Sequence, residues 1–386
     1  MDELVNLISN LIKIPTVNPP GENLYEAVNF MRDWLAQKGI SSQIIEFEKG
    51  WPILIAEKRG SKNFTILLNG HFDVVPIGDK SKWSEEPFSG KIVNGKIIGR
   101  GATDMKGGLG VILKIFSEIY DKLDYNLILT AVSDEETGGK HGSKYLAEKY
   151  SPNLVLIAEP SVSRGINIGE KGLFQLKLIA KGKTAHGSLP SLGENAIMKI
   201  VDDLKSLSSI SEYKIDFPED FKEVIQDTID MIPVNDVFKI TFNPGVIRGG
   251  VKVNVVPDYC EVEVDMRIPP GITMERALEI AKSLVKNAEI QPIDFSEPNY
   301  TSPKNEYVVL MDKVIQKILG IRGKKYLMTG ATDGRFFRNK GIPVIVYGPG
   351  ELGTAHSYNE FVTIDEINKV YKVYINYLQE INKLLP

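Results

Sequence analysis

Three stretches decide the fold: FTILLNGHFDVV (64–75), NLILTAVSDEETGG (126–139) and NLVLIAEP (153–160). Each is a continuous run of Leu, Ile and Val that ends in polar residues, as strands of a parallel sheet buried on both faces do. Helical periodicity lies between them, over about Leu109–Tyr120 and Lys140–Tyr150. The order is β-α-β-α-β, which predicts an α/β architecture with a mostly parallel sheet. In such sheets functional groups gather where the strands end. All three runs end that way, in GHFDVVP (70–76), SDEETGG (133–139) and AEP (158–160). Between the first two, GRGATDMKGG (99–108) is a Gly-rich loop leading into a helix and presenting Asp104.

Upstream, Leu4, Leu7, Ile8 and Leu11 share one face of a first helix, and a second helix is expected from about Glu22 to Gln37, closed by Gly39. Downstream the texture changes near Gly172. FQLKLIAKG (174–182), VFKITFN (237–243), GVKVNVVPDY (250–259) and CEVEVDMRI (260–268) alternate apolar and polar residues, which predicts antiparallel strands with one solvated face. Helical stretches at Asn195–Leu207 and Thr273–Asn287 punctuate them. From about Pro292 a helix (Glu306–Leu319), a strand (PVIVYG, 343–348) and a last helix (Ile364–Leu385) return to the first texture. The expected organisation is one domain from 1–172 and 292–386, with a smaller α+β domain inserted at 173–291.

A chain of 386 residues allows two or three domains. Apolar residues at 42 % and charged residues at 25 % describe a globular chain rather than a disordered one. The net charge of −4 comes without long runs of either sign, so neither a nucleic-acid groove nor a polybasic membrane patch is expected. No apolar run reaches the roughly 18 residues of a membrane span. The N-terminal MDELVNLISN is acidic and amphipathic, unlike a secretory leader, so a cytoplasmic location is expected. A single cysteine, Cys260, excludes a disulfide framework and a thiolate metal cluster within one chain. Any metal would therefore be held by His, Asp and Glu.

Only four histidines are present, and His71, His186 and His356 lie in small-residue turns, GHFD, TAHGS and TAHSYNE. His141, in GGKHGSKY, reads as a solvated residue at a helix start. His71 and Asp73 point the same way on a strand, so the carboxylate can orient the imidazole; taken alone, a surface His–Asp pair is the plainer reading. Asp134, Glu135 and Glu136 repel one another at a strand end, which calls for a nearby cation or a helix start. With His71, Asp104, Glu136, Glu159 and His356 taken as ligands, a charge count gives an independent check. If Asp104 bridges, three carboxylates and one hydroxide balance two divalent ions. Nitrogen and oxygen donors without thiolate suit zinc, with cobalt or manganese as alternatives. Two ions roughly 3.5–4 Å apart can activate water and polarise a carbonyl. Glu135, not needed for that balance, is free to act as general base.

These motifs, together with TAHGSLPSLGENAI (184–197), NVVP (254–257), DMRIPPG (265–271), TGATDGRFF (329–337) and GPGELGTAHSYNEFV (348–362), resemble in this order the zinc-dependent aminoacylase and peptidase family of acetylornithine deacetylase, succinyl-diaminopimelate desuccinylase, carboxypeptidase G and dipeptidases. The resemblance covers nearly the whole chain. It implies a three-layer catalytic domain with an inserted lid, through which the chain pairs as a homodimer. It places His71 and Glu159 on one metal, Glu136 and His356 on the other, Asp104 between them, Asp73 as orienter and Glu135 as base. It also implies that His186 stabilises the tetrahedral oxyanion, from its own chain or the partner's, and that Asn254 and Arg267 hold a substrate carboxylate. Arg248, Gly330 and Thr332 are further candidates for substrate contact. Gly187 stands where many relatives carry Ser. The implied reaction is metal-assisted hydrolysis of the amide of an N-acyl amino acid, with a dipeptidase or carboxypeptidase as the alternative.

Rival chemistries lack residues. There is no G-x-S-x-G elbow, no Walker loop and no H-E-x-x-H. GPGELG (348–353) spells G-x-G-x-x-G after an apolar strand, but TAHSYNEF succeeds it instead of an apolar helix. A non-catalytic relative would have lost Glu135 or a ligand, and both are present.

Overall fold

A computed structural model describes residues 2–385. The chain forms two compact units: Met1–Ile168 with Thr301–Tyr326 and Thr332–Pro386, and Gly169–Tyr300 with Leu327–Ala331.

The centre of the first unit is a run of parallel strands in the order Tyr125–Val132, Lys62–His71, Leu154–Ile157 and Val344–Val346. Antiparallel strands extend it, Pro52–Lys58 and then Gln43–Glu46 on one side, and Gly165–Glu170 on the other. Helix Gly107–Ile119 covers one face: a side chain at Gly70 would crowd Leu109 of this helix and Met105 just before it. Helices Asp2–Ile12 and Ile364–Leu384 pack on that helix in turn. On the opposite face Leu146, Ala147 and Phe337, from helices Ser143–Lys149 and Gly334–Arg338, join Leu67, Val132, Val155, Ile157, Val344 and Val346 in one apolar cluster. The result is helix, sheet, helix: a three-layer α/β fold whose continuous apolar strands are buried on both sides, as their composition requires.

In the second unit an antiparallel sheet runs in the order Asn243–Gly249, Tyr259–Ile268, Gly172–Lys181 and Glu289–Ser296. Alternate residues Phe174, Leu176, Leu178 and Ala180, with Cys260, Val262, Val264 and Met266, pack against helices Ala196–Leu207 and Met274–Leu284. Asn195 and Thr273 cap those helices by accepting from the amides of Met198 and Arg276 at 3.1 and 3.2 Å.

Two expected strands are corrected here. VFKITFN and GVKVNVVPDY enter ladders only at their last residues, Asn243 and Tyr259: Asn235–Phe238 is a short 3-10 turn, and the strand expected in these motifs is Asn243–Gly249. In the first motif the buried residues are Val237 and Ile240, three apart, and pairing begins only near its end, where the Thr241 amide donates to the Arg267 carbonyl at 3.0 Å. In the second, Val251 and Val253 are fully solvated. The actual strand hides behind Pro244 and Gly245, which an edge position with a bulge between Pro244 and Val246 accommodates. Among the described residues no helix is long and apolar enough to cross a membrane.

Candidate metal centre

The sheet order brings the polar strand ends together. The His71 strand lies between the other two in parallel register, His71 opposite Val132 and Asn69 opposite Ile157. Just beyond Val132 the chain makes the turn Glu135–Thr137, which carries Glu135 and Glu136, and just beyond Ile157 it presents Glu159. Asp104 arrives from the turn before helix Gly107–Ile119, where the Asp104–Met105 peptide is cis. That helix starts against the third strand end: a side chain on Gly108 would sit 1.8 Å from the carbonyl oxygen of Ala158, so only glycine lets the two backbones approach. His356 comes from the loop after Leu352–Thr354, with a left-handed backbone at φ 59°.

The five side chains form two groups that share Asp104. His71 Nε2 lies 3.1 Å from Asp104 Oδ1 and 3.2 Å from Glu159 Oε1. His356 Nε2 lies 3.2 Å from Asp104 Oδ2 and 3.2 Å from Glu136 Oε2. Within each group the donor atoms all lie within 4.8 Å of one another. His71 and Glu159 are buried, whereas the His356 side chain is 51 % exposed, so this half faces solvent.

The electrostatics show a site short of positive charge. Burial, reinforced by Glu159, pushes the carboxyl of Glu135 well above the carboxylate range. Burial likewise raises Glu136, and with the Asp104 charge it pushes Glu159 up to about 8. For Asp104 burial works upward too, but hydrogen bonds from His356 and His71 outweigh it and hold this carboxyl below the usual range. His356 is pushed up to about 10 by Asp104 and Glu136. Two imidazoles and three carboxylates crowded in a largely buried site, without thiolate, suit two divalent cations, which would supply the charge the side chains lack.

Buried partners hold the loops. His71 Nδ1 lies 2.9 Å from the carbonyl oxygen of Asp73 and 3.3 Å from its Oδ1. Asp73 does more than face the imidazole: its carboxylate accepts the amides of Glu135 and Glu136 at 3.2 and 3.1 Å, and Asn18 Nδ2 at 2.8 Å. Arg335 donates to the carbonyls of Thr332 and Gly138 at 3.0 and 2.9 Å, tying the TGATDGRFF loop to the turn that carries Glu135. Glu360 accepts the amides of Thr103 and Asp104 at 2.9 and 3.0 Å and pairs with Arg100 at 2.6 Å. Sequence reasoning does not single out Asn18, Arg100, Arg335 or Glu360. The last three sit inside the GRGATDMKGG, TGATDGRFF and GPGELGTAHSYNEFV motifs, but their work is done on backbone atoms that no residue pattern displays. His141, read as solvated, instead stacks on Trp51 with centroids 5.5 Å apart and meets Glu48 at 2.9 Å.

The remaining candidates divide between the two units. Thr332, in the first unit, is buried, and its hydroxyl accepts the amide of Gly334 at 3.1 Å. His186, Asn254, Arg248, Arg267 and Gly330 belong to the second unit. His186 Nδ1 lies 2.7 Å from the Ser188 hydroxyl. The Gly187 amide donates to the Asn254 carbonyl at 2.8 Å, and a Cβ at Gly187 would come within about 3.0 Å of that backbone, which accounts for glycine here. Arg267 pairs with Asp265 at 2.9 Å. Arg248 is mostly exposed and pairs across the ladder with Glu261 and Glu263 at 3.1 and 3.4 Å.

An uncharacterized metallohydrolase of Methanocaldococcus jannaschii is 30 % identical to this chain over 98 % of it and 99 % of its own length. A probable succinyl-diaminopimelate desuccinylase of Staphylococcus aureus is 27 % identical over 98 % of both chains. A metallo-carboxypeptidase from Sulfolobus solfataricus shares the fold, with a TM-score of 0.84 at 23 % identity over 99 % of this chain and 100 % of that one. The family model for peptidase family M20/M25/M40 matches residues 67–380, which span every donor of the two His–carboxylate groups, and the chain belongs to that family.

Proposed function

We propose that this metallohydrolase cleaves the amide bond of N-acyl amino acids. The observation that carries the reading is the pair of His–carboxylate groups sharing Asp104, with the half-buried Glu135 directly before Glu136 in the chain. His71 and Glu159 would hold one ion, Glu136 and His356 the other, and Asp104 both. When bound, two divalent ions, zinc foremost, supply Lewis-acid chemistry that polarises the amide carbonyl and acidifies the attacking water.

Glu135 takes the proton from that water and returns it to the leaving nitrogen, so one carboxylate serves as base and then acid. Asp73 holds Glu135 in place through its amide. His186 would offer a donor to the developing oxyanion, while Asn254 and Arg267, with weaker candidates Arg248, Gly330 and Thr332, would receive the substrate's carboxylate; a guanidinium matches it in a bidentate way. The inserted 173–291 segment would serve as lid and as the contact of a homodimer, in a cytoplasmic enzyme.

The choice of an N-acyl amino acid rests on the similarity in sequence to the Staphylococcus aureus desuccinylase. The test is amine release from N-acetyl and N-succinyl amino acids and from dipeptides, with zinc- or cobalt-loaded protein and a chelator control. Chelator-sensitive cleavage of the N-acyl compounds is expected. Cleavage of dipeptides alone would move the protein to the peptidase reading, and cleavage of neither would overturn the substrate class.

A further inference from the structure

We propose that the buried ion pair Arg100–Glu360 is a positioning device that sets Asp104 against His356, an inference that rests on reading the two His–carboxylate groups as a metal centre. The pair is nearly solvent-free, with side-chain exposures of 3 % and 0 %. Glu360 Oε1 accepts two consecutive amides, Thr103 and Asp104, at 2.9 and 3.0 Å, and so fixes the backbone that carries the shared carboxylate. Its Oε2 receives Arg100 Nη1 at 2.6 Å. The same guanidinium donates to the carbonyls of Ser357 at 3.1 Å, Pro76 at 3.3 Å and His356 at 3.4 Å. One end of the pair therefore grips the Asp104 turn and the other grips the His356 loop.

Three observations favour positioning over simple cohesion. First, the two segments are already joined without the pair: Phe361–Thr363 adds to Lys96–Ile98 as a ladder, and the Thr103 hydroxyl donates to the Phe361 carbonyl at 2.6 Å. Second, a buried ion pair is a poor source of net stability, because the desolvation of both charges offsets their attraction, whereas its directional bonds specify geometry. Third, His356 and Asn359 both hold left-handed backbones, φ 59° and 57°, which persist only where surrounding contacts determine them. A similar arrangement holds the turn that carries Glu136, where the Asp73 carboxylate accepts the consecutive amides of Glu135 and Glu136.

The test titrates Co²⁺ into metal-free full-length protein, monitoring heat and visible absorption, for the unaltered chain and for Glu360→Ala, Glu360→Gln and Arg100→Lys, with kcat, KM and melting temperature alongside. Removing partners that orient metal ligands typically weakens binding by roughly 10–100-fold. That loss is expected for Glu360→Ala in at least one of two binding events, with a changed cobalt spectrum and a fall in kcat at nearly constant KM. Glu360→Gln keeps an oxygen for the two amides and should recover much of the affinity. If Glu360→Ala does not fold, Arg100→Lys carries the same expectation, since lysine cannot reproduce the fork. Variants that melt lower yet bind two Co²⁺ with unchanged affinity and spectrum would overturn the positioning role alone. An unaltered protein that binds no pair of ions would overturn the metal centre and this inference with it.

Discussion

Asp73 holds Glu135 by its backbone: Oδ1 of Asp73 accepts the Glu135 amide at 3.2 Å, while Oδ2 accepts the next amide, of Glu136, at 3.1 Å. One buried carboxylate thus orients both the proposed base and a proposed ligand while facing His71. In Asp73→Asn one oxygen becomes an NH₂ group aimed at a backbone N–H, so one of these bonds turns repulsive. The expected outcome is a fall in kcat of roughly 10–100-fold, with a smaller change in KM and with weaker metal binding. Steady-state kinetics and metal analysis of the purified variant check it; an unchanged kcat would remove Asp73 from the machinery.

Glu135 is expected to be separable from the metal ligands. Glu135→Gln keeps the size of the side chain but cannot take a proton. General acid–base groups contribute about 10²–10⁴-fold, so turnover should drop by at least the upper part of that range while both ions stay bound. Calorimetric titration with zinc, run beside the activity assay, distinguishes this from a ligand mutation such as Asp104→Ala, which should lose metal as well. A Glu135→Gln protein that turns over normally would assign the proton transfer to another group.

The convergence of His71, Asp104, Glu136, Glu159 and His356 is legible in the sequence for a physical reason. Parallel strands buried on both faces are apolar throughout, so polar residues just beyond them stand out, and adjacent strands bring those ends together. Rarity helps, since four histidines leave few to choose from. Glu360 and Arg100 are not legible, because they act on amides and carbonyls supplied by segments about 260 residues apart in the chain, as in the Arg100–Glu360 contact itself. The edge strand Asn243–Gly249 escapes detection for the opposite reason: it is exposed along its whole length, so no buried face imprints an alternation on it. Alternation in 237–243 and 250–259 draws the eye to its flanks instead.

Lys171 supplies a pH-dependent stability term in the second unit. Its ammonium is fully buried and donates to the carbonyls of Asp236 and Lys239 at 2.7 and 2.6 Å, and burial pushes its pKa down to about 7. The folded state therefore gives up this proton at lower pH than the unfolded chain, whose lysine keeps it up to about 10.5. Between these values the unfolded state binds more protons, so this residue's contribution rises with pH across that window and is lost as pH falls through about 7. Lys171→Met deletes the titration. Denaturant unfolding at pH 6 and pH 10 should find the variant faring better relative to the unaltered protein at the lower pH; a difference independent of pH would mean the lysine does not titrate in this window.

Strand Asn243–Gly249 bears on the proposed homodimer. Among the described residues it pairs with Tyr259–Ile268 on one side only, and its Val246 and Ile247 are 37 % and 56 % exposed. An edge strand that still exposes apolar side chains beyond its bulge can template pairing with another chain, and lysine at such a position is a usual protection against it. If two copies associate through this edge, Ile247→Lys places a charge of the same sign from each copy in the shared face and should convert dimers to monomers without altering the melting of the first unit. Sedimentation velocity over a range of protein concentrations reads the result directly. A dimer that persists unchanged in the variant would place the association on another surface, and a monomer before substitution would remove the homodimer from the proposal.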